Sequence, residues 1–545
     1  MTTIIEGADA AANTSTAYAM TTGDEFFGAL DQGTSDWIAV TLVAGTTYSF
    51  GAMGIGAHDT GVTDPLLKLH GADGSVLSMN DDGGPGLSAR LTFTAATSGV
   101  YYVEVNALAG AAGADYGLAM TEGDRPSYGT EMGAAIIYRP GNSWAATPET
   151  PVNVTWGIRT SGPATDASGN PAPFAQLTTA QIAAAHAALA NYSDVCGITF
   201  TQINPVGTTN NATILIGAYD STTDGAGAFA SYPGATGAGA AAGDLWLNND
   251  SVSQTSLPFG SYDYFVFLHE LGHAMGLAHP GDYNAAPGVS ITYANNAQFV
   301  QDSQQYSVMS YFNAVDTEPN APQSYADTLM MYDIYAVQQL YGVNLTTRAG
   351  DSIYGFHSNT GGAYDFTVNT DPLLCIWDGA GKDTLNLSGF GGHQKIDLRD
   401  GFFSDVGGFI GNLSLALGAI IENAVGGTGA DDITGNAVRN VIHGGQGADT
   451  ITGGAGNDLL TGNKGADDFI FAAGSGRDTI ADYSKTADFA TLDSGLWSGA
   501  LTAQQVLNTY GVIRAGHLVL DFGADELVFI GVTSAVGMAG HLHIL

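Results

Sequence analysis

Residues 426–470 repeat a nine-residue unit five times: GGTGADDIT, GNAVRNVIH, GGQGADTIT, GGAGNDLLT and GNKGADDFI. So short a period leaves little choice of fold. One unit cannot bury an apolar face alone, so neighbouring units must stack, and the G-G-x-G-x-D-x-U-x register dictates how. The glycines permit tight turns. Asp431, Asp449, Asp458 and Asp467, each sixth in its unit, bring carboxylates to those turns, while Ile433, Ile442, Ile451, Leu460 and Phe469, each eighth, point inward. Turn carbonyls and carboxylates together suit Ca²⁺ between successive coils. Because the core is narrow, bound metal must supply much of the stability. The second unit departs from the pattern: Asn440 replaces the aspartate and Arg439 adds a positive charge, which weakens a site there. A disordered Gly-Asp linker would not keep the apolar eighth position.

A second constraint lies upstream, in HELGHAMGLAHP (269–280). On a helix, residues four apart share a face, so His269 and His273 can present two imidazoles to one cation. Gly276 would let the backbone leave the helix through a conformation other residues resist, returning His279 from a loop as the third ligand. Three histidines leave a tetrahedral Zn²⁺ one open corner, which water can fill. Glu270, beside the first histidine, is placed to take a proton from that water.

Composition narrows the partners. The 545 residues carry 53 acidic against 14 basic side chains, a formal charge of −39. Such a surface repels nucleic acid and anionic membranes and favours cations. Cys196 and Cys375 are too few for a disulfide framework and are expected to be small buried side chains. MTTIIEGADAAANTSTAYAM has no basic start and no uninterrupted apolar core, so no cleavable signal peptide is expected, and no run of about 18 apolar residues predicts a membrane span.

Between residues 20 and 122, DWIAVTLVAGTTYSF (36–50), DPLLKLHGADGSVLSMNDD (64–82) and SGVYYVEVNA (98–107) alternate apolar and polar positions between turn residues, as in a β-sandwich. This succession resembles the bacterial pre-peptidase C-terminal domain. Asp64, Asp81 and Asp82 are candidate Ca²⁺ ligands, as against ordinary water-facing turn residues. From about 129 the pattern becomes mixed helix and strand. Thr178 and Gln181 form a capping box opening a helix with Ile182, Ala185 and Leu189 as its buried stripe. ATILIG (212–217) is a short strand. GDLWLNND, after a Gly/Ala-rich loop (225–243), is a candidate sheet edge on which an extended peptide could pair.

QYSVMSYF (305–312) follows the histidine run. With it the chain closely resembles the metzincin clan of zinc peptidases and, within that clan, the serralysins. The resemblance implies that Met309 floors the three imidazoles and that Tyr311 is a further, displaceable zinc ligand that then hydrogen-bonds the oxyanion. HPGDYNA and the helix TLMMYDIYAVQQLYG (328–342) extend the match, with Asp333 a candidate to orient a ligand or the turn. TRAGDSIYGF and IWDGAGKDTLNLSGF imply a further Ca²⁺ site, for which Asp378 and Asp383 have the oxygen-rich turn. The repeats match the family's calcium-binding β-rolls, and FAAGSGRDTIADYS and HLVLDFGADELVFIGV (517–532) read as closing strands. A C-terminal roll without a signal peptide resembles proteins exported by type I secretion, which would fold in extracellular Ca²⁺. HLHIL departs from the acidic-then-apolar ending many members carry.

The expectation is therefore a multidomain chain: a β-sandwich (1–125), an α+β metzincin zinc-peptidase domain (129–345), and a C-terminal parallel β-roll with closing strands (346–545). It would act as a secreted, extracellular, monomeric zinc endopeptidase on protein and peptide substrates, with Glu270 as general base and acid, one catalytic Zn²⁺ and several structural Ca²⁺.

Overall fold

Alternating side chains make strands where the spacing predicts them. The computed structural model describes every residue except Met1, 31–34, 56–63, 109–113, 139–141, 163–164, 235–240 and Pro287. Asp36–Leu42 pairs antiparallel with Gly99–Ala107, which pairs with Pro65–His70, in one five-stranded sheet. In a second such sheet, Ala114–Glu122 lies between Glu25–Leu30 and Thr47–Gly54. Ile38, Val40, Leu67 and Val103 from the first and Phe26, Phe50, Tyr116 and Leu118 from the second share one core. The sandwich begins earlier than residue 20, because Thr3–Ile5 and Ala19–Met20 add parallel strands.

By compactness the chain divides into two units, Met1–Pro319 with Tyr325–Asn344, and Asn320–Ser324 with Leu345–Leu545. The two sheets above belong to the first. So do the helices Thr130–Ile137, Thr179–Val195, Tyr262–Ala274 and Met331–Tyr341 and a third sheet, in which Ile198–Gln202, Val152–Ile158, Ile214–Tyr219 and Leu245–Asn248 run parallel. GDLWLNND is not the edge expected from the sequence. Ala228–Ala230, inside the Gly/Ala-rich stretch, pairs antiparallel beyond it and takes that place. Three residues with little apolar pattern gave no strand signal. The capping box at Thr178 is present and opens the helix Thr179–Val195. Its buried face runs through Ala184, Ala185, Ala188, Leu189 and Tyr192, leaving Ile182 half-buried. Among the described residues no helix is long and apolar enough to cross a membrane.

The second unit is built on the nine-residue repeat. Successive repeats fall alternately into two parallel sheets, so Ile433, Ile451 and Phe469 stack in one and Ile442 with Leu460 in the other. All five are at most 1% exposed. Beyond the repeats, Arg477–Ile480 and Glu526–Phe529 continue one sheet, and Phe489–Leu492 and Leu542–Ile544 the other. A capped helix, Ala503–Tyr510, was not foreseen. Both cysteines are buried, Cys196 in the first unit and Cys375 in the second.

Candidate active site

The helix Tyr262–Ala274 is capped by Ser261, whose side chain accepts from Tyr264 N. Its Tyr264–Ala274 stretch is buried throughout, because it packs on both sides: Tyr192 Oη, from the neighbouring helix, donates to Leu268 O at 2.7 Å. At Gly272 a Cβ would lie 2.3 Å from Met309 Sδ, so a larger residue would displace that methionine. Met309 is itself fully buried. Gly276 leaves the helix at φ +100°, and a Cβ there would lie 1.9 Å from Asn142 O. That turn brings the third histidine back.

His269, His273 and His279 meet by their Nε2 atoms, 3.2 Å from His269 to His279 and 3.1 Å from His273 to His279. Each ring's other nitrogen faces a backbone carbonyl: Val308 O at 2.8 Å, Leu277 O at 2.8 Å and Tyr283 O at 2.9 Å, respectively. With Nδ1 donating in each case, all three Nε2 atoms carry lone pairs aimed at one point. Three acceptors so close repel unless a cation lies among them, so this donor set fits a metal ion. Burial also keeps His269 and His273 neutral. It depresses His269 well below the usual imidazole value, helped by the other two histidines, and lowers His273 to about 4.

Glu270 is 7% exposed, and its Oε2 is buried without a hydrogen-bond partner. Burial alone pushes its carboxyl up to about 8; a dication beside it would pull that value back down. Tyr311 stands with its ring centroid 4.5 Å from that of His279, and its Oη accepts from Ala285 N at 3.4 Å.

The turn carrying Met309 is fixed by a carboxylate beneath it. Asp333, fully buried on the helix Met331–Tyr341, accepts from Ser307 Oγ at 2.7 Å, Val308 N at 2.7 Å and Met330 N at 2.9 Å. It orients the turn, and through Val308 the carbonyl that holds His269. Asp302 was not foreseen. It accepts from Tyr283 Oη at 2.8 Å and Ser310 Oγ at 2.7 Å, tying the loop after His279 to the same turn, and burial pushes it up to about 7. Spacing along the chain gives no hint of such a tie. A cavity of about 290 Å³ opens beside His269 and Glu270. Its walls include Ala228 from the edge strand, Phe265 and Val266 from the helix, and Ile291, Tyr262 and Tyr325.

The carboxylates of the second unit are also buried. Asp431, Asp449, Asp458 and Asp467 are at most 2% exposed. Asp431 N donates to Asp449 and Asp449 N to Asp467, each across 18 residues of chain, so the carboxylates form ladders along the coils. Asn440 keeps a rung, its N donating to Asp458 Oδ1 at 2.8 Å while its own Oδ1 accepts from Asn436 N at 2.9 Å. Asp478, outside the repeats, adds a rung by accepting from Asp458 N at 3.0 Å. The Oδ2 atoms of Asp449, Asp458, Asp478 and Asp383 are buried without hydrogen-bond partners. Asp383 Oδ1 accepts from Ser352 N at 2.7 Å, while Asp378 Oδ2 accepts from Tyr354 Oη at 2.5 Å. Among the described residues no three of these carboxylates converge within 4.8 Å, so a cation held there must also take backbone oxygens. Asp64, Asp81 and Asp82 do not converge within that distance either, whereas Glu6, Asp9 and Asp36 do.

Three convergent imidazoles beside a buried carboxylate, next to a cavity, have the chemistry that metal-assisted hydrolysis requires. Comparison with known proteins supplies the family. Residues 343–511 match the Peptidase M10 serralysin C-terminal family. Metallopeptidase AprA of Pseudomonas marginalis is 42% identical over 442 residues, covering 78% of this chain and 90% of that protein. Serralysin G of Dickeya chrysanthemi is 41% identical over 386 residues, covering 67% and 78%, and serralysin B of the same organism 37% over 322 residues, covering 57% and 65%. The chain belongs to the serralysin family of metallopeptidases. It is a metalloendopeptidase, and its substrates are proteins.

Proposed function

We propose that this metalloendopeptidase is a secreted zinc enzyme in which His269, His273 and His279 hold the ion and Tyr311 is a displaceable fourth protein ligand. The observation that carries the reading is the convergence of three Nε2 atoms, those of His269 and His273 lying 3.2 and 3.1 Å from that of His279, next to the unpartnered Oε2 of Glu270. A zinc ion held there supplies Lewis acidity, polarising the scissile carbonyl and making water acidic near neutral pH. Glu270 Oε2, which spends no hydrogen bond on the protein, takes the proton from the attacking water and passes it to the leaving amine. Tyr311 Oη, released from Ala285 N, donates to the oxyanion. Met309 braces the helix from below through its contact with Gly272. The edge strand Ala228–Ala230 pairs with the substrate backbone, and the cavity beside Glu270 takes one of its side chains.

In the second unit Asp378, Asp383, Asp431, Asp449, Asp458 and Asp467 hold Ca²⁺ together with turn carbonyls, and Asp478 joins them. The buried, unpartnered Oδ2 atoms of four of these carboxylates support this, since such charge is costly to bury alone. The chain follows the three-domain division expected from the sequence, with a pre-peptidase C-terminal-like sandwich before a metzincin domain and a β-roll. Export by type I secretion and action as an extracellular monomer belong to the same proposal.

The test is cleavage of casein by the calcium-loaded chain. It should be abolished by a zinc chelator and by Glu270→Ala, with mass spectrometry finding one zinc and several calciums per chain. Full activity in Glu270→Ala would sink the mechanism.

A further inference from the structure

Gln304 lines the same cavity as His269 and Glu270, near Tyr262, Tyr311 and Tyr325. Its backbone is secured, N donating to Phe312 O at 2.9 Å, and the residue is 1% exposed. Yet its Oε1 is buried and accepts no hydrogen bond. The next residue shows what the fold provides when an amide is structural: Gln305 Oε1 accepts from Thr317 Oγ1 at 3.1 Å. A buried amide oxygen without a donor destabilises the folded chain, and leucine or methionine would fill the same space without that loss.

We propose that Gln304 is a specificity-determining residue whose side-chain amide pairs with the amide of a substrate glutamine entering the cavity. This rests on reading the cavity as part of the substrate cleft. Part of the wall favours an apolar stem: Phe265, Val266 and Ile291 line the cavity alongside its polar groups. Gln304 selects the tip. One acceptor cannot satisfy the three donors of an ammonium group or the five of a guanidinium, and burying either charge there would be costly. A neutral carboxamide is the better match. An amide also tolerates either orientation of Gln304, because rotating one partner exchanges donor and acceptor and the pair re-forms. Substrates lacking the N–H leave the oxygen as unpaired as in the free enzyme, and that difference is the basis of selection.

The experiment compares wild type, Gln304→Leu and Gln304→Met on matched peptides carrying glutamine or methionine at each residue flanking the scissile bond. The readout is the ratio of kcat/KM for glutamine over methionine, with Tm measured on each holoenzyme. At one flanking position the ratio should fall about tenfold in both variants, carried mainly by KM, while Tm holds or rises. An unchanged ratio, or an equal loss on both peptides with a fallen Tm, would overturn the assignment. Glu270→Ala run in parallel separates the two readings. If it is inactive and the ratio is unchanged, Gln304 alone is misassigned; if it is active, the cleft assignment falls and Gln304 with it.

Discussion

At the scale of single residues, backbone conformation decides whether the third histidine arrives. Gly276→Ala sets a Cβ at a positive φ and against Asn142 O. Strain of this kind costs about 1–3 kcal/mol, and the collision adds a comparable amount. We expect Tm and metal affinity to fall together in that variant, as calorimetry and metal titration would show; unchanged metal binding would refute this. Asp333 invites a test against pH. Burial pushes its carboxyl up to about 7 despite its three donors. The raised value means that its contribution is complete below the unfolded aspartate value of about 4 and is lost as pH rises through 7. The stability of wild type relative to Asp333→Asn should therefore decline between pH 4 and 7 in urea titrations, and a difference independent of pH would contradict the burial argument. The imidazoles and Glu270 were legible in the sequence because four-residue helical spacing is a local rule. Gly272 was not, because its need for a bare Cα arises from Met309, which lies 37 residues further along the chain.

At the scale of elements, the segment after His279 is held by the sandwich and the link that follows it. Arg90 Nη1 donates to Gln298 O at 2.9 Å, and Arg125 Nη2 donates to Ala294 O at 2.6 Å while its guanidinium lies 4.9 Å from the Tyr293 ring centroid. Arg125→Ala should cost about 1–3 kcal/mol, the range for a hydrogen bond to a charged donor with a modest cation–π contact. Chemical denaturation of the first unit would measure it, and a shift within error would show these contacts to be idle. The edge strand Ala228–Ala230 illustrates a limit of sequence reading. Alternation needs more than three residues to register, so the sequence points to the apolar run at Leu245–Asn248 as the edge, although it lies inside the sheet.

At the scale of the whole molecule, the two units depend on different forces. The first packs helices and sheets around apolar side chains, while the repeats of the second enclose a narrow stack of Ile433, Ile442, Ile451, Leu460 and Phe469 beside rows of buried carboxylates. With calcium held as proposed, its removal by a selective chelator should lower the melting transition of the C-terminal unit and expose it to proteolysis before the first unit melts. Identical thermograms with and without calcium would remove the metal from the account. By itself the sequence determined whatever local periodicity encodes: two histidines on one helical face, an alternating sandwich, and a nine-residue coil with its aspartates and inward side chains. Only the tertiary structure decided which carbonyls fix the imidazoles, which strand faces the cleft, how Asp302 and Asp333 tie the loops together, and that the side-chain oxygen of Gln304 meets no donor. Those facts depend on atoms distant along the chain, and packing, not spacing, brings them together.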